Sequence, residues 1–242
     1  MSKYVTRHDF YTSISTKMMR EHELVFKWTK VSIADHFSKS IVKEIERESR
    51  ELYTSTFLTL PYIGGKRSNE TINVIMGGII ISMIRPLKER GLNEREIGKI
   101  IYESFEGYFL ARPKILRAII GKLLSTKYAI SRMKKQIEGN SRLNYENNFK
   151  METIEPQYEE FEFGYNYTSC TLCKMFEDNE LKEYHKYMCL GDFALFNSFG
   201  VGFKRTSTIA HGAPICDFRF IKKGKITNGW PPEKLAEWVD QE

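Results

Sequence analysis

Apolar and polar positions along this chain follow two different periods, and the change falls near residue 150. Before it, apolar residues recur three or four places apart, the spacing of one helix face. Ile33, Phe37, Ile41, Ile45 and Leu52 make one such stripe, and Ser32 with Asp35 resembles its N-terminal cap. Pro61 and "GGKR" then break the chain. Ser68 is placed to cap a helix carrying Ile72, Ile79, Ile80 and Met83, which Pro86 kinks or ends. Asn93 with Glu96 predicts another start, followed by Ile97, Ile100, Ile101 and Phe105. Pro113 stands where a first helical turn tolerates proline. After it, Ile115, Leu116, Ile119, Ile120, Leu123 and Leu124 form a broad stripe that reads as core.

The stretch "EGNSRLNYENNFK", Glu138 to Lys150, is polar and Asn-rich and reads as a connector. Period two follows: Phe161, Phe163, Tyr165 and Tyr167 predict a strand. The run "TLCKMFEDNELKEYHKY" predicts one or two short helices, and "LGDFALFNSFG" another that Gly200 stops. Two strands are expected at about Phe203–Ala210 and Ile215–Ile221, with "HGAP" as their turn. Pro232 could open a last short helix. The fold class is therefore α+β, a helical N-terminal region packed on a small antiparallel sheet with short helices. Residues 1–150 form the helical region and 151–242 an α+β region carrying the chemistry. Helical stripes need a surface to bury them, so the two regions are expected to share one composite core. There is no fixed-period repeat.

Charge divides the chain at the same place. Residues 1–150 hold 27 Lys and Arg against 16 Asp and Glu, whereas the whole chain nets only +6, so the C-terminal part is acidic. The basic excess peaks in "ARPKILRAIIGKLLSTKYAISRMKKQ". Without interleaved aromatics or a binding motif, that stretch reads as a solvated helix face, and nucleic acid is not an expected partner. The start, "MSKYVTRHDFYTS", has no signal-peptide character. The longest apolar run, Ile72 to Ile84, is short for a membrane span. A cytoplasmic protein without a membrane partner is expected; oligomeric state is not legible.

Reactive side chains crowd into the acidic part. All four cysteines, Cys170, Cys173, Cys189 and Cys216, lie there, and reduced thiols are expected rather than a disulfide framework. Cys170 and Cys173 form a C-x-x-C; the other candidate ligands are the single Cys189, His185 and Cys216, without a second paired motif, so zinc is weakly supported and no cofactor is expected. In "KRTSTIAHGAPICDFRF" a tight turn predicts Thr208 opposite Asp217 and Thr206 opposite Arg219. That register groups Thr206, Thr208, Asp217 and Arg219 on one face, with Phe203, Arg205, Ser207, Cys216, Phe218 and Phe220 on the other. Arg205 or Arg219 offers a forked donor to a carboxylate. Cys216 is a candidate nucleophile, and Asp217 a proton carrier.

Cys170, then "CLGDFA" with Cys189 and Asp192, then the hairpin ending in Cys-Asp-Phe-Arg, together resemble the L-2-amino-thiazoline-4-carboxylic acid hydrolase family. The resemblance is carried by Phe161–Phe220, and Cys173 does not belong to the shared pattern. It implies a hydrolase acting on the carbon–nitrogen bonds of a cyclic amidine, opening a thiazoline ring to a carbamoyl-cysteine. Within it, Cys189 or Cys216 is expected as nucleophile and Asp192 or Asp217 as acid/base. Arg205 and Arg219 would bind the substrate carboxylate, Thr208 would orient it, and Cys170 would line the site. The alternative is a non-catalytic sensory module that holds a small acid or a metal.

Overall fold

The computed structural model describes residues 6–146, 148–156, 161–221, 224 and 226–238. Helices α1 (Arg7–Ile33), α2 (Lys39–Thr56), α3 (Thr71–Glu89), α4 (Glu94–Leu110), α5 (Lys114–Leu124) and α6 (Lys127–Ser141) come first. Strands β1 (Lys150–Ile154) and β2 (Phe163–Ser169) follow, then short helices α7 (Thr171–Asp178), α8 (Lys182–Cys189) and α9 (Gly191–Phe199). Strands β3 (Gly202–Lys204) and β4 (Cys216–Ile221) complete an antiparallel sheet in the order β1-β2-β4-β3. The α+β class is as expected.

Local chemistry sets the helix ends. Asn93 Oδ1 accepts the Glu96 N–H at 3.0 Å, and Glu96 returns the favour to the Asn93 N–H at 2.8 Å, the reciprocal cap that the sequence predicts. The start assigned to Ser32 is corrected. That residue lies inside α1, and Ser38 caps α2 instead. The break is a turn over 34–37, which the unbroken apolar spacing conceals. Helix α3 continues through Pro86 to Glu89 and is buried on nearly every side. It is apolar and long enough to cross a membrane by composition, yet most of it is inside the fold. Gly98 of α4 lets Tyr187 of α8 press against its backbone, where a Cβ would come within 2.2 Å of the ring.

The stripe assigned to α5 as core is also corrected. Ile115, Leu116, Ile119 and Leu123 are exposed, Ile115 at 78%. The helix docks through one flank, which keeps Ile120 and Leu124 of that stripe half-buried. Gly121 abuts the Phe199 carbonyl, and Arg117 Nη1 donates to the Ser198 carbonyl at 2.9 Å. The connector holds the end of α6 and leads into β1, a short strand with little pattern to announce it.

One face of the sheet packs on α9, with Phe196 against Phe203 and Phe220 at ring distances of 4.7 and 4.9 Å. A single apolar core runs from α1 to the sheet. Beneath β4 this packing leaves a cleft that α3, α7, α8 and α9 close from the other side.

Candidate active site

The register of the two last strands differs from the expected one by two residues. Lys204 faces Arg219 and Phe203 faces Phe220, and β3 stops at Lys204. The chain over Ile209–His211 is a 3-10 turn, so the connection is longer than a tight hairpin turn. A shift of two preserves sidedness, because side chains alternate with period two. Arg205 therefore still joins Cys216 and Phe218 at the cleft.

Five of the expected residues line this cleft: Cys170, Cys189, Asp192, Arg205 and Cys216. Phe218, Tyr167, Asn73 and Met188 complete much of its wall. Asp192 sits in the first turn of α9, three residues after the last residue of α8, Cys189. A third of its side-chain surface remains open, at 34%. Arg205 is enclosed. Its Nε and Nη2 grip Glu237 at 2.5 and 2.8 Å, while Nη1 donates to Asp192 Oδ2 at 2.5 Å and Nη2 to the Cys189 carbonyl at 2.9 Å. The rings of Phe193, Phe203 and Phe218 surround the guanidinium. Such a fork is already filled by a carboxylate, so Arg205 organises Asp192 rather than presenting an open clamp.

Burial dominates the electrostatics. It raises the Asp192 carboxyl above its ordinary value, against the pull of Arg205. Burial also raises Glu70, which accepts hydrogen bonds from Tyr167 at 2.9 Å and Asn73 at 2.7 Å. The thiols behave alike: desolvation pushes Cys189 well up and Cys216 to about 11. Cys216 additionally accepts the Ile209 N–H at 3.2 Å. Both thiols are therefore protonated near neutral pH.

The structure does not bring Asp217 and Arg219 to this cleft, since both lie on the opposite face of β4. Asp217 accepts from the Thr206 and Ser207 N–H groups at 2.8 and 2.7 Å and from both hydroxyls, anchoring the loop. Arg219 Nη1 donates to the Tyr165 and Phe218 carbonyls and to Asn166, and the guanidinium stacks on Phe161. Thr208 is fully buried and bonded to His211 Nδ1 at 2.8 Å, away from the cleft wall.

At the other end of the cleft wall, Cys170 caps α7 and Cys173 lies in its first turn. Their Sγ atoms and a ring nitrogen of His185 lie within 4.8 Å of one another. Cys173 is lowered to about 5, chiefly by the Cys170 thiol and then by His185, while Cys170 is raised. The sequence offered His185 beside the C-x-x-C as one of three candidate further ligands, and the structure brings it, rather than Cys189 or Cys216, to the pair; sequence reasoning missed Glu70, Asn73, Tyr167 and Glu237. A buried acid such as Glu237 becomes visible only once its arginine is placed.

No curated protein and no solved structure matches the chain. The family model for L-2-amino-thiazoline-4-carboxylic acid hydrolase matches residues 72–220, reaching back through α3–α6 and ending before Glu237. With more than half of its 242 residues matched, and with Cys189, Asp192, Arg205 and Cys216 inside the match, the chain belongs to the L-2-amino-thiazoline-4-carboxylic acid hydrolase family.

Proposed function

We propose that the protein hydrolyses a small thiazoline-type carboxylic acid, with Asp192 as acid and base and water as the nucleophile. The observation that carries this reading is the placement of Asp192. It is a half-buried, raised carboxyl still open to the cleft, held by Arg205 and flanked by protonated thiols. A carboxyl of that kind accepts and returns a proton within one turnover.

Water adds to the carbon between nitrogen and sulfur, and one of that carbon's two ring bonds then breaks. Breaking the carbon–sulfur bond gives N-carbamoyl-cysteine, with a free thiol and both nitrogens in a ureido group; breaking the ring carbon–nitrogen bond gives S-carbamoyl-cysteine, with a free amine. The wall of thiols beside Asp192 favours the first. The proposed break is therefore at carbon–sulfur; the carbon–nitrogen break expected from the sequence is the alternative, told apart by release of a free amine rather than a free thiol. Ionised Asp192 takes a proton from the attacking water and returns it to the departing sulfur, which leaves as a thiol. Cys170, Cys189 and Cys216 form a polarisable wall suited to the ring sulfur.

Electrostatics favour an amidine. The cleft gathers Asp192 with Glu70 and Glu237 close behind it, against one enclosed arginine. A protonated amidine brings the positive charge that buried carboxylates lack. The substrate carboxylate then lies toward the cleft mouth, with the amidine inward.

The test is to incubate the purified protein with 2-amino-thiazoline-4-carboxylate and follow release of a free thiol and of carbamoyl-cysteine. A thiazoline carboxylate lacking the exocyclic nitrogen should react far more slowly. Tight binding without product would favour the sensory module instead.

A further inference from the structure

We propose that Cys170, Cys173 and His185 bind one divalent cation of the zinc class through two thiolates and one imidazole. Cys173 and His185 stand outside the residues that the proposed hydrolysis uses, Cys170 shares the cleft wall with them, and the metal binding does not rest on that reading. Three structural facts carry it.

The first is donor geometry. Tetrahedral zinc with Zn–S of about 2.3 Å and Zn–N of about 2.0–2.1 Å separates its donors by about 3.5–3.8 Å. Cys170 Sγ and His185 Nε2 are 3.9 Å apart, and all three donor atoms fall within 4.8 Å of one another. Side-chain movements of about 1 Å at most would bring them to coordination distance.

The second is the rigidity of the frame. Cys170 ends the turn out of β2 as the cap of α7, and the Cys173 N–H donates to the Cys170 carbonyl at 3.3 Å. That backbone bond fixes the two thiols as a pincer on one helical turn. His185 is 3% exposed, and its ring lies flat on Phe176 of α7 at 5.3 Å. The ring is therefore aimed, not free to swing.

The third is donor chemistry. Two sulfurs and one imidazole nitrogen suit zinc, and discriminate against magnesium or calcium, which take oxygen. A buried imidazole ordinarily meets oxygen or nitrogen, whereas Nε2 of His185 meets sulfur. Two Cys and one His also make up a known set of three protein ligands that leaves a fourth position to water or substrate. Cys170 lines the cleft, so a cation here would sit at its wall. Binding takes both sulfurs as thiolates, the proton still held on sulfur leaves to solvent, and no electron moves.

The test uses the full chain and reads metal, not turnover. Protein purified without chelator and dialysed against limiting zinc is measured for metal per chain. It is then stripped and titrated with Co2+, following the d–d bands and the thiolate-to-cobalt charge transfer. The expected result is one ion per chain, charge transfer of two thiolates, and protection of two of the four cysteines from a thiol reagent. Cys173→Ser should halve the charge transfer. The wild-type spectrum needs no variant to fold. Absence of stoichiometric binding, an unchanged spectrum in Cys173→Ser, or a Cys170–Cys173 disulfide in the native protein would each overturn the proposal.

Discussion

Two Cys–Asp pairs occur in this chain, and the fold treats them in opposite ways. Cys189 and Asp192 stand three residues apart across the junction of α8 and α9, and both reach the same cleft. Cys216 and Asp217 are neighbours on a strand, so the pleat sends the thiol into the cleft and the carboxylate to the far face. The arginines divide likewise. Arg205 is buried between two carboxylates, whereas Arg219 spends its donors on backbone carbonyls and Asn166. Spacing, rather than residue type, decides which acid can do chemistry.

The largest contrast should come from the acids. Asp192→Asn is expected to lower kcat about 10²–10⁴-fold, as loss of a positioned acid/base does, while Asp217→Asn changes it less than about tenfold. Ionised Asp192 is the form that takes the proton of water, and burial raises its pKa above 3.8. Activity should therefore rise with pH through a limb above that value, and the limb should vanish in Asp192→Asn. A profile flat across that range in the wild type would break the contrast.

Next comes the arginine pair. Arg205→Met leaves Glu237 buried without its partner and should cost about 3–5 kcal/mol in denaturant unfolding. Arg219→Met, on the more open face, should cost about 1–2 kcal/mol. Equal losses would erase the difference drawn between them. Asp217→Ala removes the acceptor for two N–H groups and two hydroxyls and should cost about 1–3 kcal/mol, with turnover of the folded fraction retained.

The smallest effects belong to the thiols. Burial keeps Cys189 and Cys216 protonated, so Cys189→Ser and Cys216→Ser should each slow turnover less than about tenfold. Trapping a covalent adduct on either sulfur by mass spectrometry would make that thiol the nucleophile instead of water.

Features closed by local chemistry were legible in the sequence. The Asn93–Glu96 cap and the Gly200 stop, at φ +68°, follow from residues a few places apart. So did the sidedness of β4, which survives an even shift of register. Periodicity does identify the apolar side of α5, yet it cannot say whether a partner surface exists to cover it. The five cleft residues came from a shared pattern over three segments. Glu70, Asn73 and Glu237 enter from the start of α3 and from the C-terminal tail, brought in only by tertiary packing. His185 joins the C-x-x-C because α8 folds back on α7, a contact that no second sequence motif marks.

The most direct measurement is hydrolysis of 2-amino-thiazoline-4-carboxylate in H₂¹⁸O by wild-type protein and by Asp192→Asn, with the product analysed by mass spectrometry. The expected result is carbamoyl-cysteine carrying one ¹⁸O in its ureido group, formed by the wild type and almost lost in the variant. Undiminished turnover in Asp192→Asn, or no product from folded wild-type protein at any pH, would contradict the assignment of Asp192.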